Sequence, residues 1–463
     1  MTERLRTRLN APRDASSLAA LRILFGLLMA ASVARYFASD WVDRFYVQRT
    51  FYFSYWGFGW VRPLPEPGMT LLFVVIGLAA IFVALGLYYR VAAITFLLSF
   101  TYVHLLDVSN YLNHYYLVSL LALLMCVLPM HRTFSIDALR DPSIRGATLP
   151  AWMIYLVRFQ VGVVYVFAGL AKLGPDWLLH GQPLDIWLHA RTDTPVLGPL
   201  FEEPYVAILM SWGGFLFDTT IIVWLSWKRT RPYAYLAVCV FHLVTNLLFQ
   251  IGIFPILMTI AALTFFEPEW PRVFMAKLRR VEWKPASEPA PQRWALGSLG
   301  MAVLGAWGLL HVLVPLRTHA YGSDVLWHEQ GMRWSWRVMV REKNGDVEYR
   351  VRVNGEERER RFIPSDFGLT REQEMEFAGQ PDLILQLAHH IADDLAARGY
   401  DDVEVRADAW VSLNGRPSAR LIDPDVDLAA IDDGVGMASW ILPAPSGPPI
   451  QLRSRRDARL ASR

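Results

Sequence analysis

The chain has 463 residues, 54% of them hydrophobic and 19% charged, with a formal net charge of only +2. It is too apolar for an ordinary soluble enzyme and too charged to lie wholly in lipid, so two parts are expected. The near-neutral balance gives a nucleic-acid role no electrostatic support, and Cys126 and Cys239 exclude a disulfide framework because both fall inside apolar runs.

Arg4, Arg6, Arg8 and Arg13 precede the first apolar run, a pattern shared by secretory signals and first spans. The many apolar runs that follow favour an uncleaved span. Spans are expected at residues 17–38, 69–88, 91–107, 112–130, 152–171, 205–227, 233–249, 252–266 and 295–316. Several reach the ~20 residues that cross the hydrocarbon as a helix. The expected fold is a membrane α-helical bundle of about nine transmembrane helices, followed by an outward-facing β-rich α+β domain. Under that count the basic clusters fall on one side: the N-terminal arginines, Arg90, Arg132 with Arg140 and Arg145, Lys228 with Arg229 and Arg231, and Lys277 with Arg279 and Arg280. That side is therefore cytoplasmic. A turn is required between Gln250 and Pro255, and an even number of crossings would reverse the C-terminal domain. The expected domains are a cytoplasmic segment at 1–16, a transmembrane domain at 17–316, an extracytoplasmic β-rich domain at 317–452 and a basic disordered tail at 453–463.

On this topology Lys172 lies about 30 Å beyond Trp152 at 1.5 Å per residue, and so reaches the outer face. The span that begins at Leu112 places Asn113 and His114 on the same face. An ammonium at the end of an apolar run is either a snorkelling terminal lysine or a group kept for chemistry. Asp218 falls mid-span and requires a partner or a proton. Arg158, nearer the cytoplasmic end, is expected to snorkel. Asp107 and Asp176, at outward span ends, are the carboxylates placed to tune Lys172.

Beyond Leu316 the hydrophobic period changes from helical to alternating. Ser335 to Glu342, Val347 to Val353 and Glu404 to Leu413 read as strands, with turn signals at Asn344-Gly345, Asn354-Gly355 and Asn414-Gly415. Pro381 to Arg398 has apolar residues at helical spacing, and Gly399 suits its C-cap. His389 and His390 are adjacent on that helix, about 100° apart, and are not expected to share a metal. Trp327, Trp334 and Trp336 follow the last span and read either as interface anchors or as substrate contacts.

At this point the sequence resembles the vitamin K-dependent gamma-glutamyl carboxylase family, in a bacterial-type form with an HTTM-like membrane domain. The matching stretches are Leu106-Asp107 with Asn113-His114-Tyr115-Tyr116, Phe167 to Trp177 around Lys172, and Phe241 to Phe254 with His242 and Asn246. Pro268 to Arg272, Ser335-Trp336 and Trp410 to Asn414 running on to Asp423 to Asp427 complete the series, in order, over residues 15 to 430. The resemblance implies an integral-membrane enzyme that couples oxygen-dependent epoxidation of a reduced naphthoquinone to γ-carboxylation of glutamate in a polypeptide. Reduced vitamin K or menaquinol, O2 and CO2 are the implied co-reactants, without a metal or a nucleic-acid partner. It also implies that Lys172 is the base on the hydroquinone and that His114 serves the carboxylation half, with Asn113 and Trp336 as further substrate-binding candidates. His242 and Asn246, one helical turn apart near mid-membrane, read either as quinone-binding groups or as bonds between helices. A free amine can deprotonate a phenol; the quinol anion and oxygen then yield an epoxide and an alkoxide strong enough to remove the γ-hydrogen of glutamate. The chain departs from the family's pattern at Met332, where an aromatic residue is usual, and at Arg337, where an acid is usual. Neither cysteine is placed to bridge the two domains. The alternatives are a quinol epoxidase without carboxylation, or a non-enzymatic transporter or lipid-binding membrane protein, which an inverted repeat would favour. A bacterial inner membrane, with the N-terminus cytoplasmic, is the expected location.

Overall fold

Each of the nine apolar stretches forms a helix in the computed structural model, which describes residues 2–284, 290–322, 324–356 and 358–450. The tail expected at 453–463 lies outside the described residues. In chain order the helices are α1 (Ser16–Ala38), α2 (Gly68–Leu85), α3 (Tyr89–Leu105), α4 (Asn113–Val127), α5 (Ala151–Leu170), α6 (Pro204–Ser226), α7 (Arg231–Leu248), α8 (Phe254–Ala262) and α9 (Ser298–Leu316). Five of these, α1, α2, α5, α6 and α9, are long and apolar enough to cross a membrane among the described residues. The chain thus has a helical, multi-pass membrane region, but helix length does not carry a count of nine crossings. At 1.5 Å per residue the 9 residues of α8 cover only about 13 Å of a hydrocarbon layer roughly 30 Å thick.

The helices pack through apolar faces: Leu18, Phe25 and Met29 of α1 and Phe73, Ile76 and Val83 of α2 belong to one continuous core with α3, α4 and α5. One buried cation fastens this core. Arg22 donates to the Val83 and Ala84 carbonyls, both at 2.6 Å, and to Met130 O at 3.2 Å. It thereby adds a donor to Val83 O, which also accepts from Gly86 N at 3.1 Å, and supplies one to Ala84 O in the last turn of α2. At the same end, β1 (Pro12–Asp14) pairs antiparallel with β2 (Thr148–Pro150), which ties the entries of α1 and α5 together.

The C-terminal domain is a four-stranded antiparallel sheet in the order β4-β3-β5-β6, made of β3 (Lys343–Arg352), β4 (Arg360–Phe362), β5 (Glu404–Leu413) and β6 (Ala419–Arg420). Alternation sends Val347, Tyr349 and Val351 of β3, with Val405, Ala407, Ala409 and Val411 of β5, into a buried layer. α11 (Pro381–Ala397) covers that layer, and Tyr349 donates to Ile384 O at 2.8 Å. A shorter helix, α10 (Arg371–Phe377), begins at a capping box formed by Thr370 and Gln373.

Two expectations for this domain fail. Ser335 to Glu342 is not a strand but an irregular segment: Trp336 and Met339 within it take left-handed φ values of 60° and 57°, and Trp334 just before it one of 63°. Asn344-Gly345 is not a turn: it lies within β3, opposite Ser412 and Val411, where a Cβ on Gly345 would approach Val411 Cγ2 to 2.8 Å. The other two turn signals hold, with Asn354 and Asn414 at φ 53° and 49°. His389 and His390 diverge as their spacing requires, the first to Ile431 O at 2.7 Å and the second against the Phe51 ring, tilted by 34°.

Candidate active site

The site begins with the end of α5. Its last turn carries Ala168 and Gly169, and the chain then bends so that Lys172 Nζ reaches back to Ala168 O at 3.1 Å. A Cβ on Gly169 would lie 2.6 Å from Thr219 Cγ2 and 3.0 Å from Thr219 N, so only glycine lets α5 approach α6 this closely. That approach sets Asp218 of α6 beside Lys172, with Nζ and Oδ2 2.8 Å apart and both side chains buried. Val338 O lies 3.5 Å from Nζ, and the Trp177 ring centroid 5.1 Å. Two carbonyls and a carboxylate match the three N–H donors of an ammonium. Moving the proton from Nζ to Oδ2 would give a free amine and also remove both buried charges, which are individually costly to keep out of water.

Lys172, Asp218, Tyr165, His242, Thr245 and Phe254 line one apolar cavity of about 80 Å³, roofed by Val338 and Met339. At roughly 10–15 Å³ per water this space holds about six waters, or about 180 Å³ of liquid-like volume. A flat bicyclic headgroup needs comparable room. His242 Nε2 sits 2.8 Å from the Tyr165 hydroxyl, whereas its Nδ1 is buried without a hydrogen-bond partner. His242 lines the cavity, and a buried polar atom left unsatisfied on such a residue is a ready partner for a ligand hydroxyl.

The other residues singled out from sequence divide around this cavity. His114, buried at the start of α4, meets it only through Phe254, whose ring lies 6.2 Å away. Gly252, at φ 62°, leaves space for the His114 ring, since a Cβ there would come within 3.3 Å of Nε2. Asn113 holds the roof: its Nδ2 donates to Arg337 O at 3.4 Å, and its Oδ1 accepts from Tyr111, whose hydroxyl receives Trp334 N at 2.7 Å. Trp336 is buried and stacked on Tyr116 at 4.9 Å, so it supports the roof without lining the cavity. Asn246 is exposed on the far side of α7, and Thr245 takes the place beside His242. Both positions lie within one turn of His242, and packing selects between them.

Neither outward carboxylate touches Lys172. Asp107 pairs with Arg49 at 2.8 Å. Asp176 accepts from Arg416 at 2.6 and 2.7 Å and from Asn414 at 3.0 Å, which docks the C-terminal domain on the membrane region. The carboxylate that reaches Lys172 is Asp218, and no spacing rule links two residues on separate helices. Trp327 and Trp336 are buried rather than free to anchor at an interface. A second cleft of about 400 Å³ opens on the other side of the roof segment, lined by Tyr55, Met332, Arg333, Trp334, Asp382 and the 431–441 loop.

A helical membrane region topped by a β-rich α+β domain, with a buried lysine where they meet, defines a multi-pass membrane protein. The sequence matches the HTTM domain over residues 10–270 and the lumenal domain of vitamin K-dependent gamma-carboxylase over residues 297–447. The chain belongs to the vitamin K-dependent gamma-carboxylase family, and its domains are those of a carboxylase. No solved structure matches it.

Proposed function

We propose that the chain couples oxygen-dependent epoxidation of a reduced naphthoquinone, of the vitamin K or menaquinol type, to γ-carboxylation of glutamate in an exported polypeptide. The observation that carries this reading is the single apolar cavity into which Lys172, Asp218 and the unsatisfied His242 converge. In this reading Lys172, after passing its proton to Asp218, accepts a proton from a quinol hydroxyl held near Nζ. His242, oriented by Tyr165, bonds the hydroxyl at the opposite end of the ring. The apolar walls keep water away from the basic species that must remove the γ-hydrogen. In balance, quinol, O2, CO2 and glutamate give epoxide, γ-carboxyglutamate and water. The polypeptide occupies the cleft beside Met332 and Trp334, separated from the cavity by the roof segment. We place the N-terminus in the cytoplasm and the outer domain outside, with all nine helices crossing, in a bacterial inner membrane.

A quinol epoxidase without carboxylation is the second reading, and the closed roof between cleft and cavity favours it. The deciding experiment measures hydroquinone-dependent epoxide formation by the purified protein, together with labelled CO2 entering a glutamyl peptide. Epoxide formation is expected and should be lost in Lys172→Ala. Persistence in that variant removes the proposed base, and epoxide without label leaves only the second reading.

A further inference from the structure

One large cavity belongs to neither the site nor the cleft. It is a groove of about 920 Å³ between α5, α6 and α9, opening at the end of the bundle opposite the outer domain. Its depth is apolar, with Phe159, Val163, Val166, Ile222 and Val312 among the walls. Along α5 it runs from Ala151 to Phe167, about 24 Å at 1.5 Å per residue, which exceeds one leaflet of a roughly 30 Å hydrocarbon layer. The mouth is basic: Arg13, Arg158, Lys228 and Arg231 line it against two acids, Glu267 and Glu269.

Most of that acid is already engaged. Glu267 pairs with Arg231 and lies 3.5 Å from Lys228. Arg158 spends Nε on Thr264 O at 2.7 Å and Nη2 on Phe266 O at 3.0 Å, which leaves its Nη1 without an acceptor among the described residues. Arg13 is exposed and has no carboxylate within ion-pair distance among the described residues. The mouth therefore holds uncompensated positive charge. α9 stands away from the bundle on this side, with only His311 and Pro315 buried along its length.

We infer that the groove is a binding site for one anionic phospholipid, its phosphate at Arg13, Arg158 and Lys228 and its acyl chains along α5 and α9. A basic pocket between membrane helices, continuous with an apolar channel of this length, fits a lipid better than a free anion, which has no use for the channel. The lipid fills the gap that α9 leaves and completes its packing.

The test uses the full chain in detergent, stripped of lipid and titrated with phosphatidylglycerol, with phosphatidylcholine of the same acyl chains, or with inorganic phosphate. Native mass spectrometry reads the retained adducts. Phosphatidylglycerol is expected to bind about tenfold more tightly than phosphatidylcholine. The double variant Arg13→Gln/Lys228→Gln, which leaves the carbonyl bonds of Arg158 in place, should reduce that preference. Gly162→Leu gives an independent arm that alters no charge: a Cβ there has 3.7 Å to Ile222, and the longer side chain enters the groove, so retention of both lipids should fall. Equal retention of the two lipids by the unmodified chain, or a preference undiminished in the double variant, overturns the proposal. Inorganic phosphate that competes as well as the lipid does would overturn it too, by making this a simple anion site.

Discussion

Lys172 and Asp218 form a buried pair whose two members belong to different helices, so each residue's chemistry depends on the other. Asp218→Asn keeps the shape but removes the proton acceptor. Epoxide formation is expected to fall by about 100-fold, the low end of what general base catalysis contributes. The thermal midpoint should fall as well, because a buried ammonium loses its counter-charge. Initial rates decide the matter: an unchanged rate takes Asp218 out of the proton path. His114 faces the cavity only across Phe254, so His114→Ala should leave epoxidation largely intact and lower carboxylation. Parallel loss of both activities would contradict that division. Lys172 and His114 were singled out in sequence through the resemblance, because an ionisable group at the end of an apolar run reads equally as a snorkelling or interfacial residue. Tyr165 and Thr245 were not legible, since a hydroxyl on an apolar helix is unremarkable until its neighbour is known.

Two contacts between elements set the site. The first is the crossing of α5 over α6 at Gly169. Gly169→Ala should push the helices apart, cost about 1–3 kcal/mol as overpacking does, and lengthen the Lys172–Asp218 contact. Thermal unfolding and epoxide rates measured together check this, and a variant that unfolds normally with full activity would refute it. The second is the tie from Asp176 to Arg416 and Asn414. Burial alone would push the Asp176 carboxyl up, but hydrogen bonds from Arg416 and Asn414 and the Arg416 charge outweigh it and hold it below the usual carboxylate range. A folded value below the unfolded one, about 3.9, means that the tie stabilises docking above that pH and is lost as pH falls through the folded value. Limited proteolysis between pH 6 and pH 3 should therefore show the outer domain loosening on acidification, and Asp176→Asn should flatten that dependence.

For the whole molecule, the proposed topology predicts which surfaces face which compartment. In a background with Cys126 and Cys239 replaced, Arg140→Cys and Lys228→Cys should react with an impermeant thiol reagent only from the cytoplasmic side, and Asp425→Cys only from outside. Labelling of Lys228→Cys from outside would reverse the helices around the site. The division into an apolar helical part and an alternating part, the helix positions, and the helix with its Gly399 cap could all be read from the sequence. Period and length are local properties, and helical hydrogen bonds close within each segment. The segment 335–342 was misread because its alternation imitates a strand, while bonds from Asn113 and Lys172 to its carbonyls, and one from Trp334 N to Tyr111 just before it, bend it into a roof. Which carboxylate meets Lys172, which side of His242 faces inward, and where a groove opens beside α9 were decided only by the tertiary structure. Those outcomes depend on contacts between helices far apart in the chain, and side-chain volumes packed at close quarters, rather than any local pattern, determine them.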